Sequence, residues 1–169
     1  MCKEFLYRIA ELHDILQNTM SDIPTFVRRN KEYLEFSNGT QIRIATTTSR
    51  LRGHTCDLMI VDEAAFIQDP EDFVYCAIPT YTSSKNCQMI FLSTPRGKDN
   101  YLNELYTKAY THQNEFVASR MYIDDIPGRE EFVKRCITYL SERDIIRELM
   151  GLFWDYDKKS LNKEKRNDK

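Results

Sequence analysis

Hydrophobic and polar positions follow two different periods along this chain, and the changes of period mark its elements. In KEFLYRIAELHDILQ the residues Phe5, Ile9, Leu12 and Leu16 recur at helical spacing, which predicts an amphipathic helix over 3–17 with those four as its apolar stripe. After SDIPTF, read as a loop, the period drops to two on either side of Asn38-Gly39. Such a dipeptide supplies the positive φ of a tight hairpin turn, so strands are expected near 32–36 and 41–46. The loop TSRLRGHT then leads into an unbroken apolar run, Leu58 to Val61, with the composition of a buried strand.

The second half repeats that architecture. PEDFVYCAI predicts a short helix capped by Asp69 with Pro70 at its first position. Met89 to Leu92 forms another apolar strand, which stops abruptly in STPRG. NYLNELYTKAYT reads as a helix, EFVASRMYI as a strand, and REEFVKRCITYL and SERDIIRELMGLF as two helices, the last entered by Ser141 as cap. Strands alternating with helices argue an α/β fold with a largely parallel sheet. Ligands in such folds sit at the carboxyl ends of the strands, where Asp62, Glu63, Ser93 and Thr94 fall.

Composition narrows the picture without choosing a function. A chain of 169 residues suits one domain, read here as 1–154, followed by a basic stretch, 155–169, taken as a solvated tail or the start of a linker. No apolar run approaches the roughly 20 residues of a membrane helix, so no membrane partner is expected. The first residues lack the uninterrupted apolar core of a secretory signal, and a cytosolic setting follows. Five cysteines stand singly with no CxxC pair, which suits reduced core thiols better than a zinc site. At a net charge of −2 any DNA contact must be local.

The stretch LMIVDEAAF carries the sharpest chemistry. Four apolar residues running into Asp-Glu form a Walker B pattern, though a loop that merely opens on two acids has similar weight. Asp62 at the strand end suits magnesium, which dehydrates reluctantly and takes only one or two protein carboxylates. Glu63 would point differently and could orient or deprotonate an attacking water. After the second strand, the hydroxyls of Ser93 and Thr94 stand where a γ-phosphate could be sensed.

The order of LEFSNGTQIRI, TSRLRGHTCD, LMIVDEAAF, MIFLSTPRG, NELYTKAY and SERDIIRELMGLF resembles the large subunit of a bacteriophage terminase over roughly residues 3–154. Superfamily-two helicases share Asp-Glu, but continue with Ala-His or Ala-Asp and a Ser-Ala-Thr motif; this chain reads Ala64-Ala65-Phe66 and Ser93-Thr94-Pro95. The resemblance implies a P-loop NTPase-type α/β fold of the additional-strand, catalytic-glutamate kind, with a mainly parallel sheet flanked by helices and its N-terminal part lacking. It implies Asp62 as the Mg²⁺ residue, Glu63 as the catalytic glutamate, and Ser93 and Thr94 as the coupling motif toward ATP. Arg52 would be an arginine finger on a neighbour's ATP, with Arg50 as competitor and a plain exposed arginine as the bland alternative. Arg96 is read as a backbone or solvent contact. Implied partners are double-stranded DNA, a ring of other large subunits, the portal protein and the small terminase subunit, in the cytoplasm of an infected or lysogenic bacterium.

The chain departs from that pattern at both ends. The phosphate cradle GxxxxGK[ST], or Walker A, does not occur in these residues, and no acidic cluster of the family's nuclease can be assigned. The expectation is therefore the later part of the ATPase domain, inactive as an ATPase alone, with an unpaired apolar edge on the strand CQMIFLS. The alternative is a non-catalytic assembly or binding module derived from the same fold.

Overall fold

The computed structural model describes residues 2–45, 50–82, 84–113, 115–123 and 126–154; the basic stretch 155–169 and residue 46 of the second hairpin strand lie outside them. In chain order the elements are α1 (Cys2–Gln17), β1 (Phe26–Arg29), β2 (Tyr33–Phe36), β3 (Gln41–Arg43), β4 (Leu58–Asp62), α2 (Pro70–Thr82), β5 (Gln88–Leu92), α3 (Tyr101–Tyr110), α4 (Glu130–Tyr139) and α5 (Glu142–Asp144). They divide into two compact units, Met1–Asp57 with Asp72–Asn86, and Leu58–Glu71 with Cys87–Lys169.

In the first unit the order β1-β2-β3 is antiparallel throughout. The expected hairpin is present: Gly39 has φ +85°, the conformation its turn position needs, and Leu34 pairs with Ile42 across it. β1 is an addition, since FVRR offers too few alternating apolar positions to be read as a strand. It pairs with β2 through a register shift between Phe26 and Arg28. This sheet, larger than the parallel one, departs from the expected mainly parallel arrangement.

α1 forms as expected but turns a different face inward. Leu6, Ala10 and His13 are buried, whereas Phe5, Leu12 and Leu16 of the predicted stripe are exposed. The reason is local: the His13 ring packs 4.1 Å from Phe26 and 5.3 Å from Phe36, and its Nε2 donates to the Pro24 carbonyl at 2.6 Å. These contacts rotate the helix by about one residue relative to the hydrophobicity pattern.

A further tie between helix and sheet is the Arg29–Asp14 pair, with Arg29 Nη1 donating to both carboxylate oxygens at 2.8 and 3.1 Å. The hydrogen bonds from Arg29 hold the Asp14 carboxyl below its ordinary range, more than partial burial raises it. A group with a depressed folded value contributes stability above its unfolded pKa and loses it as pH falls through the folded one. Arg29→Gln should therefore move the Asp14 titration midpoint upward toward the ordinary range, read by carboxylate NMR. The stability difference between variant and parent should vanish in acid. The pair is half-exposed, so the effect at neutral pH should be small.

In the second unit β4 and β5 run parallel and in register from Leu58↔Gln88 to Asp62↔Leu92. Among the described residues β5 has no second strand neighbour. Met59 is buried and Val61, Met89 and Phe91 half-buried on one face of the pair; Phe91 meets Tyr101 and Phe116 edge-on. Cys76 is the one buried cysteine among those described, with Cys56, Cys87 and Cys136 half-buried, so the thiols are less uniformly core than expected.

Two further expectations are corrected here. Residues 115–123, read as a strand, carry no strand: Val117 is 96% and Met121 72% exposed, and without a neighbouring strand among the described residues the segment has no ladder to join. SERDIIRELMGLF is not one α-helix. Ser141 caps it as expected, accepting from Asp144 N, but after α5 the chain continues as a π-helical turn, Ile145–Leu149, which buries Ile146 and Leu149. It ends at Gly151, φ +60°, where a Cβ would come within 2.9 Å of the Met121 carbonyl.

Candidate functional site

β4 and β5 deliver Asp62 and Ser93 to the same end of the parallel pair because Asp62 and Leu92 are register partners. Asp62 is exposed and its Oδ1 accepts from the Glu63 amide at 3.1 Å. Glu63 itself sits in the left-handed region, φ 56° and ψ 42°. That conformation costs a non-glycine residue roughly 1 kcal/mol or more, and is kept only where the surroundings enforce it. The surroundings do so: directly after Glu63 a 3₁₀ turn, Ala64–Phe66, buries both alanines.

Ser93 joins these pieces. Its Oγ accepts from Ala65 N at 3.2 Å and lies 3.2 Å from Glu63 Oε2. The single hydroxyl hydrogen can be donated to that carboxylate or to the Thr94 carbonyl at 3.0 Å. Thr94 is half-buried, and among the described residues its hydroxyl makes no hydrogen bond. Downstream, the loop is tied down through its backbone, with Arg147 Nε donating to Pro95 O and Trp154 N to Arg96 O, each at 2.9 Å. Arg96 is exposed, in keeping with the solvent alternative expected of it, and its guanidinium lies 4.8 Å over the Phe66 ring.

Asp62, Glu63, Ser93 and Thr94 thus belong to one unit, at one end of one sheet. Arg52 and Arg50 belong to the other unit. Arg52 is exposed, its Nε donates to Cys76 Sγ at 3.4 Å, and its guanidinium rides 4.6 Å over Tyr75. The Cys76 contact raises its already high pKa. Thr80 holds the same loop by donating to Leu51 O at 2.8 Å. Arg50 pairs with Glu32 at 3.4 Å. Nothing in the chain's pattern signals the left-handed backbone at Glu63, since glutamate is not a residue that favours it.

A model of the terminase large subunit, T4likevirus-type, N-terminal, matches residues 16–165, nearly the whole chain. This chain belongs to the terminase large subunit family. It is a component of the machinery that packages phage DNA, and the region of the large subunit matched is the N-terminal one. In this terminase chain an open groove of about 920 Å³ runs beside the 3₁₀ turn, with Phe66, Gln68, Arg96, Lys98, Tyr101 and Lys108 among its lining residues. None of Asp62, Glu63, Ser93 or Thr94 lines it, so this groove is separate from the acidic strand end.

The donor set at that strand end suits magnesium. One oxygen of Asp62 is engaged by a backbone amide, and no cluster of three or more His, Cys, Asp or Glu capable of a protein-only cage occurs among the described residues. Magnesium needs no such cage, because it keeps several waters and takes its remaining ligands from phosphate.

Proposed function

We propose that this terminase chain carries the acidic half of an ATP-hydrolysis site, with Asp62 holding Mg²⁺ and Glu63 directing the attacking water. What supports the reading is the placement of both carboxylates at the carboxyl end of a parallel strand, with Ser93 of the neighbouring strand against the Glu63 carboxylate. Magnesium, when bound, supplies the positive charge that neutralises developing charge on the phosphoryl oxygens. The chain's own part is to hold that ion through one Asp62 oxygen and to accept a proton, or order a water, at a Glu63 oxygen. Ser93 and Thr94 would pass the state of the γ-phosphate to the loop that follows them. Arg52, with Arg50 as the alternative, would act on ATP bound by a neighbouring large subunit.

These residues contain no GxxxxGK[ST] sequence, so the chain by itself should bind ATP weakly; the cradle would come from another segment of the motor. The assignment to the later part of a P-loop ATPase domain belongs to the same proposal. So do its partners, namely duplex DNA, a ring of large subunits, the portal and the small subunit, and its place in the bacterial cytoplasm. The experiment is ATP turnover by this chain supplied in trans with a polypeptide bearing a terminase phosphate-binding loop. Asp62→Asn should abolish turnover and weaken Mn²⁺ binding, read by its paramagnetic signal. Turnover and Mn²⁺ binding both unaltered by Asp62→Asn would leave a non-catalytic assembly module as the reading.

A further inference from the structure

We propose that the solvent face of the β1–β3 sheet is a nucleic-acid surface on which Arg28 and Arg43 hold backbone phosphates of duplex DNA. The choice of DNA rests on the packaging function, whereas the surface itself is independent of Asp62 and Glu63. Side chains alternate across the sheet, so Leu34 and Ile42 face the core while Tyr33, Glu35, Gln41 and Arg43 face away; Arg28 joins them opposite Glu35. On that face two guanidiniums converge on one phenol ring. Arg43 lies 4.4 Å and Arg28 5.8 Å from the centroid of Tyr33.

The charges on this face are arranged for an outside anion. Among the described residues neither Arg28 nor Arg43 meets a carboxylate within 4 Å, whereas Arg29, Arg50 and Lys3 are all taken up by Asp14 and Glu32. The one carboxylate sharing the face, Glu35, accepts from the Tyr33 hydroxyl at 3.0 Å. Gln41 Oε1 accepts from Arg43 Nη2 at 3.1 Å, which orients that guanidinium without neutralising it. Lys31, in the β1–β2 turn, is also exposed.

The ligand class follows from shape. The two arginines stand on the outer strands, Arg43 opposite Tyr33 and Arg28 opposite Glu35, so their backbones are about 12 Å apart, two strand spacings across and two residues along. A small anion is held in a concavity, while a flat, half-aromatic, guanidinium-bearing face suits an extended polyanion, whose phosphates match the bidentate fork of arginine. Stacking on Tyr33 pre-organises the forks, lowering the side-chain entropy lost on binding. Lipid headgroups share the phosphate chemistry, but the face offers no apolar side chain to enter a bilayer beyond Val27 at its edge.

The test is fluorescence anisotropy of a labelled mixed-sequence duplex with the full chain, without nucleotide, between about 50 and 200 mM salt. Arg28→Ala/Arg43→Ala should weaken binding at least about tenfold at 0.1 M salt and lower the salt slope by about two. Arg28→Lys/Arg43→Lys should keep most of the slope, and unchanged circular dichroism in each variant checks the fold. Arg8→Ala/Arg135→Ala, removing equal charge elsewhere, should leave the slope alone. The proposal is overturned if the alanine pair binds like the parent, if the distant pair loses as much, or if the parent binds anionic phosphatidylserine vesicles but not the duplex. Because no nucleotide is present, any of these outcomes leaves the ATPase proposal standing.

Discussion

Glu63→Gln should slow ATP turnover in the completed motor by roughly 10²–10⁴-fold, the usual contribution of a positioned general base. Glutamine keeps the size and one acceptor oxygen of the side chain, so Ser93 Oγ retains a partner and the turn at Ala64 and Ala65 need not move. The loss should fall on kcat, with little change in the nucleotide concentration needed for half-saturation, because Glu63 is assigned to water and not to phosphate binding. A variant that hydrolyses ATP at the parent rate would remove Glu63 from the mechanism. A variant that also lost Mn²⁺ binding would show that the two carboxylates share the metal, contrary to the division of labour between Asp62 and Glu63.

The second large effect is on stability. Leu34 is 1% exposed, the most deeply buried large side chain of the antiparallel sheet, and its register partner Ile42 lies directly across the hairpin. Leu34→Ala should cost about 2–5 kcal/mol, the transfer of the lost methyl groups plus the cavity left behind. With two compact units a single melting temperature is a poor measure, since the units need not unfold together. Amide hydrogen exchange separates them. Protection in β1, β2 and β3 should fall steeply, and β4 and β5 serve as the internal reference. Undiminished protection around Tyr33–Phe36 would mean that the first unit is held by contacts other than this core.

What could be read from the residues alone was whatever depends on near neighbours in the chain. Asn38-Gly39 specifies its own turn through a positive φ, Ser141 caps through its own hydroxyl, and the apolar run before Asp62 forms a strand, although only its Met59 and Val61 face is covered while Leu58 and Ile60, expected to be buried, are exposed. The acidic pair at that strand's end, and the hydroxyl pair at the end of the next, were legible for the same reason. What only the tertiary structure decided was everything that depends on which distant group arrives. The buried face of α1 lies one residue away from its apolar stripe because His13 is buried against Phe26 and Phe36, and no local period encodes that contact. EFVASRMYI has the composition of a strand and no strand to pair with, since a ladder needs a second backbone that composition does not supply. The left-handed Glu63, the Ser93 contact across thirty residues of chain, and the convergence of Arg28 and Arg43 on Tyr33 arise from chain-path and pairing register, which bring together side chains far apart in sequence.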